Sequence, residues 1–519
     1  MNFPRSIFTI SSLTLVSRFF GFIRDVLIAS ILGAGLLADV FLVAFKFPNL
    51  FRRLFAEGGF NAAFVPYYSK LTKERDYFAA KVFAEQAFSL LLWVLLLFVI
   101  IIEIIMPWAL MVFVPGFVGS PDKFDLVVLL TRITLPYLVF ISLVALASGI
   151  LNTMGKFAAA AATPILLNLS LISSVLWLAG YTDTPAHALA WGVALAGILQ
   201  LSWILFWLAR SGIVLLPRLP KITSDIKILT RKFFPAVLGT GVYQISILID
   251  TVFASTLPAG SISYLFFADR INQLPMGVIG VAVGTAVLPV LSRQLEAGQN
   301  KAAIYSQNRA IEFSMFFTIP SAMAIIILSE PIISSLFQRG AFDFAQTIAT
   351  SNSLKIYALG LPAYVLIKVL SPNFFARGDT LTPTKIGVLS IAANIVLNFV
   401  FIGTFQHLGI AAATAISAWI NAVLLYLVLV FRRYLHVDSR LRKRLIRILL
   451  SSVIMGVCLY LCSEALWAGV FSDQGLRIIV LFLLVSIGFI LFIGTAILSY
   501  GLKISELREV FSMSSRSGD

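Results

Sequence analysis

SRFFGFIRDVLIASILGAGLLADVFLVAFKFPNLFRRLFAEG, residues 17–58, holds two apolar runs on either side of a turn at the GAG of 33–35. Both runs carry charge: Arg18, Arg24 and Asp25 in the first, Asp39, Lys46, Arg52 and Arg53 in the second. A lone Arg or Lys at the centre of a bilayer helix costs about 2.5–3.5 kcal/mol on insertion scales. Two or three at depth remove most of what an ordinary span gains. Such residues survive where they face a partner or a water-filled cavity, so the stretch marks a functional site inside a membrane.

Composition supports the membrane. Of 519 residues, 59% are hydrophobic and 12% charged, against roughly 25% charged in soluble domains. Runs of about 20 apolar residues place fourteen helices at 8–32, 37–56, 82–113, 125–153, 157–180, 186–210, 226–256, 261–291, 305–337, 347–376, 384–405, 408–431, 445–468 and 475–500. The opening residues lack the apolar core and cleavage site of a signal peptide, so the first helix is expected to be retained. With the N-terminus and every second loop placed in the cytoplasm, 29 of the 39 Lys and Arg fall there. Three fall in the opposite loops (Lys123, Arg339 and Arg477) and seven inside spans. This is the positive-inside pattern. It puts both termini in the cytoplasm and explains the net charge of +15 as topology, with no nucleic acid expected as partner.

The chain also repeats. At a shift of 225, Ala29, Ser30, Leu32, Ala34, Gly35 and Phe41 fall on Ala254, Ser255, Leu257, Ala259, Gly260 and Phe266. At a shift of 223, Ala63, Pro66, Ser69 and Lys70 fall on Ala286, Pro289, Ser292 and Arg293. Six helices separate the copies, so both halves have the same orientation, a parallel repeat with a site expected between the halves. The expected fold is an all-α polytopic membrane protein of about fourteen helices: a six-helix lobe at 1–222, a second at 223–437, and two further helices with a tail at 438–519. Arg270 aligns beside Lys46, which sets a second charged intrusion at Asp269 and Arg270.

Two constellations carry chemistry. In the first, Asp39, Lys46 and Arg53 are seven apart on one helix face, Pro48 breaks the ladder before Asn49 and Arg52, and Gly21 offers a bend that would bring Arg18 towards Arg24. Asp25 and Asp39 could each neutralise one base as structural glue. Alternatively, because bases outnumber acids, the cavity binds an anion, and Arg forks match phosphate oxygens. In the second, Asp250, Asn394, Asn398 and Thr414 form either a hard-cation ligand set or a hydrogen-bonded packing cluster. Cys458 and Cys462 read as helix-packing residues. No P-loop, zinc spacing or Ser/His/Asp set occurs.

The quoted opening, together with YLFFADRINQLP at 264–275, GVAVGTAVLPVLS at 280–292 and FFARGDTLTPTKI at 374–386, resembles the MurJ (MviN) family over essentially the whole chain. These are lipid II flippases of the multidrug/oligosaccharidyl-lipid/polysaccharide exporter superfamily. The resemblance implies a bacterial cytoplasmic (inner) membrane protein whose last two helices help to hold an undecaprenyl chain. Arg18, Arg24, Arg52 and Arg270 match the family's important bases, and Ser17, Asp25, Asp39, Asn49 and Glu57 belong to the same motif, which also contains Lys46. Some members carry an acid where this chain has Gln273. A sodium site described for the family matches Asp250, Asn394, Asn398 and Thr414, with Na+ as coupling ion and no other cofactor. The implied partners are lipid II, membrane lipids and other cell-wall synthesis proteins, with the chain itself a monomer. Two alternatives stand beside this: an exporter of another polyprenyl-linked oligosaccharide or of drugs, and a membrane-embedded polymerase or scaffold. The last would need a catalytic motif in an outer loop, and those loops are short and poor in acids.

Overall fold

The computed structural model describes residues 3–53, 60–74, 77–467 and 474–499; Glu57 lies outside them. Contacts divide the chain into two compact units, Met1–Ser263 with Arg339–Phe342, and Tyr264–Gln338 with Asp343–Asp519. The first holds α1 (Phe3–Leu32), α2 (Leu36–Phe51), α3 (Asn61–Glu74), α4 (Tyr77–Phe113), α5 (Pro121–Thr134), α6 (Tyr137–Thr153), α7 (Phe157–Ser173), α8 (Pro185–Ala209) and α9 (Ser224–Ser255). The second holds α10 (Ser261–Pro275) beyond its first turn, then α11 (Val281–Glu296), α12 (Asn300–Phe337), α13 (Phe344–Phe375), α14 (Leu381–Phe431), α15 (Ser439–Trp467) and α16 (Gln474–Leu498).

The described part of each of the fourteen expected spans falls on helix. Among the described residues ten helical segments are long and apolar enough to cross a bilayer, counting α14 as one. Yet α14 is two helices: Gln406, at φ 49° and ψ −129°, breaks it between 405 and 407. The reversal is so tight that a Cβ on Gly409 would come within 2.7 Å of the Phe401 carbonyl oxygen. Segments α1, α2 and α9 are not among the ten, and they are the ones that carry Arg18, Arg24, Asp39, Lys46 and Asp250.

The duplication holds element by element. Segment 36–51 matches 261–275, 121–153 matches 344–375, 157–181 matches 381–405, and 185–209 matches 407–431. One element was not expected. Residues 61–74, read from sequence as part of a loop, form the helix α3, whose counterpart is α11, each with an internal proline (Pro66, Pro289). Its charged surface and tyrosines conceal it from a search for apolar runs. Tyr67 of α3 donates to Asp225 of α9 at 2.6 Å and so fixes it within the first unit.

In the first unit α2 packs on α5 and α8, and α1 on α7. Pro48 has no N–H to give to Ala44, four residues back. The hydroxyl of Thr134, from α5, donates to that carbonyl at 2.8 Å instead. The turn 339–342 also belongs here: the Ala341 N–H donates to the Ser30 carbonyl at 2.7 Å, and Gly340 lies against the same oxygen.

In the second unit α15 and α16 lie along α12. Phe316 meets Phe492 at 5.0 Å between centroids. Gly456 sits where a Cβ would be 2.9 Å from Met323 and 3.0 Å from Ile327. Glu312, buried on α12, collects Arg309, Arg440 and Arg444, and Arg309 also pairs with Asp438. Asp438 caps α15 through the Leu441 N–H at 2.6 Å. Burial pushes the Asp438 carboxyl up, but the Leu441 N–H, Arg309 and Arg440 outweigh it and hold its pKa below the ordinary value.

Candidate functional site

Arg24 is buried, 8% exposed, although it lies within a membrane helix. Its Nε and Nη2 both donate to Asp25 Oδ1, at 3.0 and 2.7 Å. Its Nη1 donates to Asn168 Oδ1 at 2.9 Å, and the Asn168 amide in turn donates to the Ser17 carbonyl at 2.9 Å. Neighbours i and i+1 do not normally face each other on a helix, so the guanidinium must turn back along the axis to reach Asp25. The result is a neutralised, fully oriented Arg locked between α1 and α7. Asn168 was not singled out from sequence, although an Asn inside the apolar run LLNLSLIS is the kind of intramembrane polar group that finds a partner.

The other bases differ. Segment α1 runs as one helix through Gly21, so the bend that would join Arg18 to Arg24 is not made. Arg18 is exposed and, among the described residues, has no hydrogen-bonding or ionic partner. Arg52 is half-buried. Its Nε donates to Asn49 Oδ1 at 2.9 Å, and the Asn49 amide donates to the Phe45 carbonyl at 2.7 Å. Lys46 reaches Thr251 Oγ1 at 3.5 Å. In the second unit the Arg270 guanidinium lies 4.7 Å from the centre of the Phe266 ring. Beside it, Gln273 donates to Asp269.

Asp39 has a defined structural task. At 1% exposure its carboxylate accepts from the Gly260 N–H (2.6 Å), the Ser263 N–H (2.9 Å) and the Ser263 hydroxyl (2.6 Å). Gly260 has φ 98°, a conformation that favours glycine, and it presents its N–H to the carboxylate. Asp39 therefore caps the first turn of α10 across 221 residues of sequence. The expected shared face of Asp39, Lys46 and Arg53 is not one environment: the first is buried, the second half-buried and the third exposed.

Of the proposed cation ligands, Asp250 belongs to the first unit, and Asn394, Asn398 and Thr414 to the second. Asn398 donates to Asn394 Oδ1 at 3.1 Å, both being fully buried, while the Thr414 hydroxyl donates to the Ile410 carbonyl at 2.9 Å. Buried amide and hydroxyl oxygens are donors of the hard type that Na+ accepts.

Within the first unit the Arg24 guanidinium is held oriented by Asp25 and Asn168, and guanidinium groups are donors that match anionic oxygens. The family model "Lipid II flippase MurJ" matches residues 28–486. The "Probable lipid II flippase MurJ" of Rhizobium tropici is 42% identical over 466 residues, covering 89% of this chain and 87% of that one. A solved structure of "Lipid II flippase MurJ, inward closed conformation" is 30% identical, with a TM-score of 0.78, covering 95% of this chain and 98% of that one. An inward-facing multidrug MATE transporter of the MOP superfamily, at 15% identity and a TM-score of 0.66, covering 84% of this chain and 99% of that one, shares the fold. This multi-pass membrane protein belongs to the MurJ family of lipid II flippases.

Proposed function

We propose that the chain moves lipid II, an undecaprenyl-diphosphate-linked disaccharide–pentapeptide, from the cytoplasmic to the outer leaflet of the bacterial inner membrane, with both its own termini cytoplasmic. The observation that carries this is the contrast among the arginines. Arg24 is neutralised and oriented by Asp25 and Asn168, whereas Arg18 is exposed and has no hydrogen-bonding or ionic partner among the described residues. A polyprenyl tail can stay in lipid, but a diphosphate needs charge-assisted donors along its way. Arg18, Arg24, Arg52 and Arg270 are the proposed contacts, with Lys46, Asn49 and Ser17 around them, and the two lobes alternate in exposing them. Because no nucleotide motif occurs in the sequence, the drive comes from membrane potential, about 2.3 kcal/mol per charge per 100 mV, or from Na+. Asp250, Asn394, Asn398 and Thr414 are the proposed Na+ ligands, and bound Na+ would favour whichever state holds it more tightly.

The test is depletion of the protein in cells, followed by treatment with a membrane-impermeant hydrolase that cleaves lipid II. Lipid II should become protected, and Arg18→Ala at normal membrane levels should reproduce the protection. Lipid II that stays cleavable after depletion would rule the reading out.

A further inference from the structure

The duplication shows which surface of each half meets another helix. On α12 the outward face is covered: Phe316 meets Phe492, and Met323 and Ile327 close over Gly456 of α15. Its counterpart is α4, and at the shift of 223 the positions of Phe316, Met323 and Ile327 become Trp93, Ile100 and Ile104. In the first unit these three are exposed by 46%, 55% and 66%.

Lipid alone would suit an apolar face, but this one is not wholly apolar. Glu103, at the edge of the face formed by Ile100 and Ile104, pairs with Arg132 of α5 at 3.8 Å, and Arg132 also donates to the Glu103 carbonyl at 3.3 Å. The Arg132 side chain remains 46% exposed. Arg132 lies about 16 Å along the axis from the outer end of α5, and Glu103 about 15 Å from the outer end of α4, at 1.5 Å per residue. Both residues lie inside segments long and apolar enough to cross the bilayer, 78–113 and 121–153. An ionisable pair inside the spans, with its Arg132 member exposed, marks a functional contact.

From these two observations we propose that the outer face of α4, with Arg132 beside it, is the docking site for a transmembrane helix of a partner protein. That helix carries small residues opposite Ile100 and Ile104 and a hydrogen-bond acceptor opposite Arg132. The small residues belong on the partner because α4 has no Gly, Ala or Ser between Leu90 and Met106. In the second unit Gly456 of α15 plays the matching part. A second copy of α4 would bring only bulky side chains to the same contact, which disfavours a homodimer through this face.

The experiment uses the full chain in vesicles with a donor dye near the outer end of α4. Three acceptor-labelled synthetic peptides are titrated: a leucine span with a Gly/Ala stripe and one mid-span Glu, the same span without the Glu, and an all-leucine span. Energy transfer should show the first binding about 3- to 30-fold more tightly than the all-leucine span, the range of interhelical polar contacts. Ile104→Trp, which only enlarges an exposed side chain, should abolish the preference. Glu103→Leu combined with Arg132→Leu should remove the contribution of the Glu. Equal binding of all three peptides would mean that only lipid covers the face. Self-association of the chain that Ile104→Trp disrupts would replace the partner with a second copy. Either result overturns the proposal.

Discussion

Removing the Asp39 carboxylate separates its capping task from any contact with substrate. In Asp39→Ala two backbone N–H groups and the Ser263 hydroxyl lose their acceptor at a site 1% exposed to solvent. A buried donor left unsatisfied costs about 1–3 kcal/mol, and loss of a helix cap about 0.5–2 kcal/mol. The hydroxyl can rotate to another acceptor and the terms overlap, so a total of about 2–4 kcal/mol is expected. At about 2–4 °C per kcal/mol for a unit of this size, the apparent Tm should fall by roughly 4–16 °C. Asp39→Asn keeps one acceptor oxygen and should fall by less. Fluorescence-detected size exclusion after heating reads the Tm, and flipping is measured at a permissive temperature, where the protein that remains folded should still work. A variant that melts like wild type yet cannot flip would refute the capping assignment and make Asp39 part of the transport path.

Arg24→Ala breaks the buried ion pair with Asp25, a loss of about 3–5 kcal/mol, so membrane levels should drop, whereas Arg18→Ala should keep its level and lose flipping; immunoblots beside a flipping assay distinguish the two. Thr134→Val should destabilise by about 1–2 kcal/mol because the Ala44 carbonyl is left bare, and most of that loss should vanish in a Pro48→Ala background, where the helix can bond the carbonyl itself; a double-mutant cycle of thermal stabilities checks it. Cysteines at Gly119 and Ala259, both exposed, should label with an impermeant thiol reagent from outside, and those at Ser224 and Ser439 should not; reversed labelling would invert the topology. The Thr382 hydroxyl and N–H, then Arg432, depress Asp379 to about 2, so its contribution is present above about pH 4, the unfolded value, and is lost as pH falls towards 2; Asp379→Asn should lower the Tm equally at pH 7 and 5, and the gap to wild type should close below pH 4.

The spans were legible because twenty apolar residues in a row have few alternatives, and the duplication was legible because matching turns keep matching glycines and prolines. Segment α3 was missed for the opposite reason: a helix with lysines on its surface and polar-tipped tyrosines, Tyr67 and Tyr68, on its buried face looks like a loop to any search for apolarity. Sequence also gathered the bases and acids of residues 17–58 into one group, which the fold then divides. Asp25 does neutralise Arg24, but Asp39 turns to the backbone at Gly260, a partner more than two hundred residues away. Asn168 and Thr134 stayed hidden because their roles come from the neighbour each one meets, Arg24 in one case and the carbonyl freed by Pro48 in the other. Local spacing can count charges; it cannot say which of them face each other.

The four residues Arg339–Phe342 complete a unit that otherwise ends at Ser263. On the ribosome this imposes a delay. When Ser263 has been made, the Ser30 carbonyl still lacks the Ala341 N–H that will bond it, and about 80 residues remain to be synthesised before that partner exists. At about 5–20 residues per second the wait is roughly 4–16 s, during which α10, α11 and α12 are made. The contact that Ala341 makes with Ser30 cannot form before residues 264–338 of the second unit have been synthesised, and the order of synthesis becomes part of how the first unit is completed.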